Sequence, residues 1–129
     1  MATERGSFSI LVVDDDVGSR HALAEILSCA GYTVTTAGSG REAMERVRNS
    51  PGLSLIILDL LMPDVDGHQF LERRRREPDL TRVPVIVMSG LDEQVDAHAQ
   101  VPKPVDIERL LKLIRLMHVS ETRASHPVI

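Results

Sequence analysis

The chain has 129 residues, a size at which one domain buries enough surface to fold alone without disulfides. Its formal net charge is −4 and acidic residues outnumber basic ones, which argues against a surface that binds nucleic acid directly. Cys29 is the only cysteine, so an internal disulfide is excluded. No apolar run is long enough to span a membrane, and a cytoplasmic location without membrane binding is expected.

The first half of the chain alternates short strands with helices. The apolar run from Ile10 to Val13 is typical of a parallel strand that is covered on both faces. A segment with helical apolar spacing follows and stops before Gly31, and a β-branched strand is predicted over 33–37. Residues 39–42 have the form of a capping box and predict the start of a second helix.

The second half repeats this alternation. A third buried strand is predicted over 55–58, then a helix that carries Phe70 and Leu71, and a fourth strand after Pro84. Asp106 is expected to cap a last helix with one apolar stripe. Strands that alternate with helices indicate a parallel sheet with helices on both faces, so we expect an α/β, flavodoxin-like three-layer domain.

The domain organisation follows from the ends of these elements. Residues 1–8 are predicted to be a leader, residues 9–118 one domain, and residues 119–129 a flexible C-terminal tail. The sequence contains no internal repeat and no low-complexity segment that would suggest another architecture.

One segment is unusually short. Only 13 residues separate Ser89 from Lys103, which leaves room for a shortened fourth helix of at most a couple of turns. The fifth strand is expected to be short as well and limited to Gln100 and Val101, because Pro102 cannot donate a ladder hydrogen bond.

Aspartates stand where two of the buried strands end. Asp14 and Asp15 follow the first strand, and Asp59 follows the third. Because the carboxyl ends of parallel strands meet at one edge of a sheet, these carboxylates should converge, which is unfavourable unless a cation neutralises them or a proton is shared. Their hard oxygen ligands suit Mg²⁺. A carboxylate can also attack phosphorus, so Asp59 is the candidate phosphoryl acceptor.

Two further polar residues are predicted at the same edge. Ser89 ends the fourth strand and offers a hydroxyl, and Lys103 offers a compact ammonium suited to a phosphate oxygen. Asp16, which precedes the first helix, is interpreted as its N-cap.

These motifs resemble the receiver domain of two-component response regulators, from about Ser9 to Met117. The resemblance rests on Val12-Val13-Asp14-Asp15-Asp16, Leu58-Asp59-Leu60-Leu61-Met62-Pro63, Asp66-Gly67, Val87-Met88-Ser89-Gly90 and Lys103-Pro104. It implies a five-stranded sheet in the order 2-1-3-4-5. It also implies that Asp59 accepts a phosphoryl group from a sensor histidine kinase or a phosphotransfer protein.

The same resemblance implies roles for the other residues of the site. Asp15, Asp59 and the backbone carbonyl of Leu61 would bind Mg²⁺, with Asp14 acting largely through metal-bound water. Ser89 and Lys103 would bind phosphoryl oxygens, and the bond from Lys103 to Pro104 would be cis.

Three residues are expected to be structural, and one surface is expected to bind a partner. Pro63 and Gly67 are interpreted as loop and helix-start residues, and Pro104 as a structural neighbour of the lysine. Leu113 and Leu116 lie outside the core stripe of the last helix, which suggests a surface for a downstream protein partner or a homodimer.

Two alternative functions stay open from the sequence. A pseudo-receiver would keep the fold as a protein-interaction module without being phosphorylated, and the short segment after Ser89 favours it. An aspartate-nucleophile phosphatase of the haloacid dehalogenase type shares this sheet chemistry. That family places its nucleophile on the first strand, which agrees poorly with an acceptor at Asp59.

Overall fold

A computed structural model of the chain describes residues 8–60, 67–90 and 97–125, with side chains described up to residue 119. The strands are β1 (Ser9–Val13), β2 (Thr33–Ala37), β3 (Leu55–Asp59), β4 (Val85–Ser89) and β5 (Ala99–Pro102). The helices are α1 (Val17–Cys29), α2 (Gly40–Arg48), α3 (Gly67–Arg76), α4 (Pro78–Thr81) and α5 (Ile107–Ser125). None of these described helices is long and apolar enough to span a bilayer.

The described strands form a parallel sheet in the order β2-β1-β3-β4-β5, which confirms the predicted topology. Successive strand residues point to opposite faces, so the buried runs supply two cores. Leu11 and Ile56 pack in the core that also contains residues of α2, α3 and α4. Ile10 and Ile57 pack in the core that contains residues of α1 and α5. The domain therefore has the expected three layers.

Helix α1 begins and ends at the residues that the sequence indicated. Asp16 Oδ2 accepts a hydrogen bond from the Ser19 N–H at 2.8 Å, the usual bond of an N-cap. Gly31 has a φ of 102°, which lies in the left-handed region where a side chain would be strained. Cys29 is exposed in the last turn, so it lies at the end of α1 opposite to Asp16.

Both ends of the domain extend beyond the predicted boundaries. Phe8, which was assigned to the leader, is 2% exposed and packs in the α1–α5 core. Helix α5 continues to Ser125, past the predicted domain boundary at residue 118. The physical reason is that no proline or glycine occurs between 119 and 125, and Pro127 is the first residue that would interrupt a helix.

The corner between β4 and α5 also differs from the prediction. β5 is longer than the two residues expected and includes Pro102. Lys103 N–H donates to the Ser89 carbonyl, so Pro102, one residue earlier, has its nitrogen on the open side of this edge strand, where no ladder bond is needed. The shortened helix after Ser89 was predicted within 91–99; residues 91–96 lie outside the described residues, and Ala99 already belongs to β5. The short α4 was not predicted and lies before β4.

Candidate metal and phosphoryl site

Four polar residues meet at the carboxyl edge of the sheet. Asp14 follows β1, Asp59 ends β3, Ser89 ends β4, and Lys103 follows β5. The order of the strands makes β1, β3, β4 and β5 consecutive neighbours, so each residue lies beside the end of the next strand. The structure thus brings together the residues that the sequence placed at the strand ends.

Three carboxylates form a cluster that could hold a cation. One oxygen each from Asp14, Asp15 and Asp59 lies within 4.8 Å of the others. Asp14 and Asp59 are buried, whereas Asp15 is exposed. Mg²⁺ binds through a few carboxylates and keeps several waters, so a cluster with a wet side suits it. Leu61, whose carbonyl was predicted as a further ligand, lies outside the described residues.

Lys103 lies beside the carboxylate cluster, in contact with Asp59. Its Nζ lies 2.8 Å from Asp59 Oδ1, and the aspartate side chain is 6% exposed while the lysine side chain is 37% exposed. The following peptide bond, to Pro104, is cis, as the resemblance to receiver domains implied. Lys103 N–H donates to the Ser89 carbonyl at 2.9 Å, which ties the lysine to the end of β4. Ser89 is itself buried at this edge.

The pKa of Asp14 reflects the crowding of carboxylates. Burial raises the pKa of Asp14 above its usual value, and the charge of Asp59 and a hydrogen bond with it raise it further. The Asp16 N–H, which donates to Asp14 Oδ1 at 3.0 Å, and the charge of Lys103 lower the pKa of Asp14 in part. In the absence of a cation, this carboxyl therefore holds its proton more tightly than an exposed aspartate.

Gly67, the first residue of α3, lies in close contact with Leu60, the residue that follows β3. Its N–H donates to the Leu60 carbonyl at 2.9 Å. A Cβ atom at Gly67 would lie 2.5 Å from the Leu60 Cα, a separation that real Cβ atoms do not reach. Only glycine therefore permits the contact that joins the two ends of segment 61–66 beside Asp59. Pro63, the other residue predicted to be structural here, lies outside the described residues.

Sequence reasoning missed two arginines. Arg20 Nη1 donates to the Asp14 carbonyl at 2.8 Å, next to the carboxylate cluster. A cation in the first turn of a helix is disfavoured by the helix dipole, and that signal could have identified Arg20. Arg74 belongs to the run of four arginines at 73–76, which lies between two glutamates and would by its charge pattern form a solvated face. It is nevertheless buried, and its guanidinium donates to the carbonyls of Thr81 and Val83.

Known proteins resemble this chain over most of its length. A family profile described as the response regulator receiver domain matches residues 10–115. The chain is 30% identical over 116 residues to the two-component response regulator ORR11 of Oryza sativa subsp. indica, which covers 81% of this chain and 79% of that protein.

Solved structures agree with this likeness. The chemotaxis protein CheY4 of Vibrio cholerae matches with a TM-score of 0.77 and 28% identity, over 85% of this chain and 98% of that one. The signal receiver domain of a signal transduction histidine kinase from Syntrophus aciditrophicus matches with a TM-score of 0.83 and 26% identity, over 95% of this chain and 98% of that one. With the sheet order and the cluster of carboxylates at its edge, these matches show that the chain belongs to the receiver domain family of two-component response regulators.

Proposed function

We propose that this receiver is a phosphoacceptor in which Asp59 takes a phosphoryl group from the phosphohistidine of a histidine kinase or phosphotransfer protein. Mg²⁺ would bind at Asp14, Asp15 and Asp59, and the phosphorylated protein would signal through a protein partner in the cytoplasm. The observation that carries this proposal is the 2.8 Å contact between Lys103 Nζ and Asp59 Oδ1 beside the three-carboxylate cluster. The chain would be modified once in each signalling event, so it is not a turnover enzyme.

The transfer can be written with the residues of this edge. A carboxylate oxygen of Asp59 attacks phosphorus in line with the bond from phosphorus to the donor imidazole nitrogen. That bond breaks, its electron pair stays on the nitrogen, and the imidazole takes a proton from water. Bound Mg²⁺ supplies positive charge for the carboxylates and the phosphoryl oxygens. Lys103 Nζ, which lies 2.8 Å from Asp59 Oδ1, would donate to a phosphoryl oxygen, and we assign the Ser89 hydroxyl the same role.

A cleft next to the acceptor gives the donor protein a place to dock. It has a volume of about 320 Å³ and lies between α1 and the start of α5. Asp14 and Lys103 form its polar end, and Leu23, Ile26 and Ile107 contribute apolar surface. An apolar side chain near the donor histidine could enter this cleft while the histidine faces Asp59, which would align the two reacting groups.

Of the two residues predicted for the partner surface, Leu113 packs against the α1–α5 core instead. The output side of the proposal therefore concerns Leu116 and three neighbours, which we call the α5 outer face. Lys112, Arg115, Leu116 and Val119 recur at helical spacing, and Leu116 and Val119 are 60% and 50% exposed. A second copy bound through the same face would bring like charges together, whereas a partner with apolar side chains flanked by carboxylates would complement it. A separate protein partner is therefore favoured over the homodimer.

Phosphorylation by a small donor tests the central claim. We expect intact-mass measurement to show one added phosphoryl group after incubation with acetyl phosphate and Mg²⁺, and no addition in Asp59→Ala. Asp16→Ala is the matched control, because Asp16 neighbours the cluster but serves as a helix cap. It should accept the phosphoryl group normally while losing about 1 kcal/mol of stability.

Other results of the phosphorylation experiment would support one of the alternative functions or a different acceptor residue. An unmodified wild type in the presence of Mg²⁺ would support the pseudo-receiver and sink the proposal. An adduct that persists in Asp59→Ala would show that another residue is the acceptor. Continuous hydrolysis of a simple phosphomonoester, lost in Asp59→Ala, would indicate a phosphatase instead.

A further inference from the structure

Arg20 contacts the residues on both sides of Asp15. Its side-chain Nη1 donates to the Asp14 carbonyl at 2.8 Å, and its backbone N–H donates to the Asp16 carbonyl at 2.9 Å. Asp16 N–H in turn donates to Asp14 Oδ1 at 3.0 Å. Arg20 is therefore bonded directly to the short segment that carries two of the three candidate metal ligands.

The bond to the Asp14 carbonyl has a specific geometric effect. That carbonyl belongs to the planar peptide group that joins Asp14 to Asp15, so holding it fixes the orientation of the whole plane. An uncompensated rotation of this plane, about ψ of Asp14 or φ of Asp15 alone, would turn one aspartate relative to the other and separate the carboxylates. The Asp14 N–H is held as well, because it donates to the Ala37 carbonyl at 3.1 Å.

The place of the guanidinium is shaped by the turn after β2. A Cβ atom at Gly38 would lie 3.0 Å from Arg20 Nη1, so the missing side chain provides the room for the guanidinium. Gly38 N–H donates to Glu42 Oε1 at 2.7 Å, which fixes the turn against α2. The guanidinium thus lies between the end of β1 and a turn that is itself held in place.

We propose that Arg20 is a positioning residue for the Mg²⁺ site, acting by orienting the peptide group between Asp14 and Asp15. This inference rests on the proposed function, because it requires that the carboxylate cluster binds Mg²⁺. It assigns to Arg20 no contact with the cation or with the phosphoryl group.

Electrostatics and positioning predict opposite results when Arg20 is replaced. A cation near a metal site repels Mg²⁺, so its removal should strengthen binding if charge were all that mattered. If Arg20 instead holds the ligands in place, its removal should weaken binding, because residues that orient metal ligands typically contribute tenfold or more to affinity. The sign of the change therefore separates the two roles.

The decisive measurement is isothermal titration of the unphosphorylated protein with Mg²⁺. We expect Arg20→Gln to raise the Kd about tenfold relative to wild type. Arg46→Gln is the matched control, because Arg46 Nε also donates to a strand-end carbonyl, that of Thr36 in β2, at 3.2 Å. It removes the same charge from α2, beside the neighbouring strand β2, and should change the Kd by less than about twofold.

A second variant moves the guanidinium without removing it. Gly38→Ala keeps every charge and suits the backbone, since Gly38 is not among the described glycines with positive φ, but its methyl group would displace the Arg20 guanidinium by a few tenths of an ångström. We expect about threefold weaker Mg²⁺ binding. If Arg20→Gln binds Mg²⁺ as tightly as wild type or more tightly, the inference is overturned. If Arg20→Gln does not fold, unchanged affinity in Gly38→Ala overturns it. A wild type that does not bind Mg²⁺ would refute the proposed metal site itself.

Discussion

The amino edge and the carboxyl edge of the sheet both carry polar side chains, but these bond to different kinds of group. At the amino edge, Ser54 Oγ accepts from the Ser9 N–H at 3.0 Å, and His98 Nδ1 accepts from the Val85 N–H at 3.4 Å. At the carboxyl edge, the Asp59 carboxylate meets other charged side chains. Polar atoms that complete backbone hydrogen bonds stabilise the fold, whereas side chains that face one another are available for chemistry.

The surroundings of the two edges differ in charge as well. Near the amino edge lies a cavity of about 700 Å³, lined in part by Phe8, Leu53 and Leu116. Among the described residues that line it none is acidic, and Arg82 is basic. Within the described parts of the chain, the candidate metal ligands are confined to the carboxyl edge. Substitutions at the two edges are therefore expected to differ both in the property that they change and in the size of that change.

The largest effect on stability is expected from Gly67→Ala near the carboxyl edge. The added Cβ would lie 2.5 Å from the Leu60 Cα and 2.6 Å from the Leu60 carbonyl oxygen, and backbone atoms cannot move aside as a flexible side chain can. We expect a loss of about 3 kcal/mol in the free energy of unfolding, measured by urea denaturation followed by circular dichroism.

Gly52→Ala is the matched substitution on the amino side. No described atom lies within 4 Å of a Cβ at Gly52, and its φ is not among the positive values found. Its free energy of unfolding should stay within about 0.5 kcal/mol of wild type. Equal losses in the two variants would contradict the difference drawn between the edges.

A smaller effect is expected from Asp14→Asn in Mg²⁺-free buffer. Because the folded pKa of Asp14 is raised, the folded state binds more protons than the unfolded state just above the ordinary value of 3.8. Stability therefore falls as the pH rises through this interval, and ionised Asp14 destabilises the fold at neutral pH. Asparagine removes that penalty, so the free energy of unfolding of the variant should exceed that of wild type at pH 7.5, with less gain toward pH 4.

Added Mg²⁺ should make wild type more stable than Asp14→Asn. Wild type is expected to gain thermal stability with Mg²⁺ concentration, because a ligand of the folded state shifts the unfolding equilibrium. Asp14→Asn should gain little. A variant that is less stable than wild type at every pH would show that the Asp14 carboxylate stabilises the fold without a metal.

The smallest effect is expected from Leu116→Ser on the α5 outer face. Leu116 is 60% exposed, so its free energy of unfolding should change by less than about 0.5 kcal/mol. Sedimentation equilibrium should give a monomer for both wild type and variant, with and without acetyl phosphate. A wild-type dimer that this substitution dissociates would restore the homodimer that we disfavour.

Much of the fold could be predicted because its signals are local. Continuous apolar runs identified β1 and β3, and the aspartates that follow them identified the functional edge. The capping box at residues 39–42 is nearly as predicted: Ser39 Oγ accepts from the Glu42 N–H, but Glu42 Oε1 accepts from Gly38 N–H, one residue before the cap. Local periodicity and capping chemistry are sufficient for such elements.

The remaining features depend on contacts between distant segments. The burial of Arg74 requires the carbonyls of Thr81 and Val83, which no spacing in the arginine run reveals. Pro102 can belong to β5 only because that strand lies at the edge of the sheet. The role of Arg20 depends on a carbonyl six residues earlier and on the space left by Gly38.

The exposed thiol of Cys29 has a practical consequence. It is the only cysteine in the sequence, and α1, whose other end lies beside the carboxylate cluster, separates it from that cluster by about 20 Å. A maleimide dye or a biosensor surface attached there would leave the carboxyl edge free. The native chain can therefore be immobilised in one orientation, with the carboxyl edge of its sheet toward solution, without introducing any substitution.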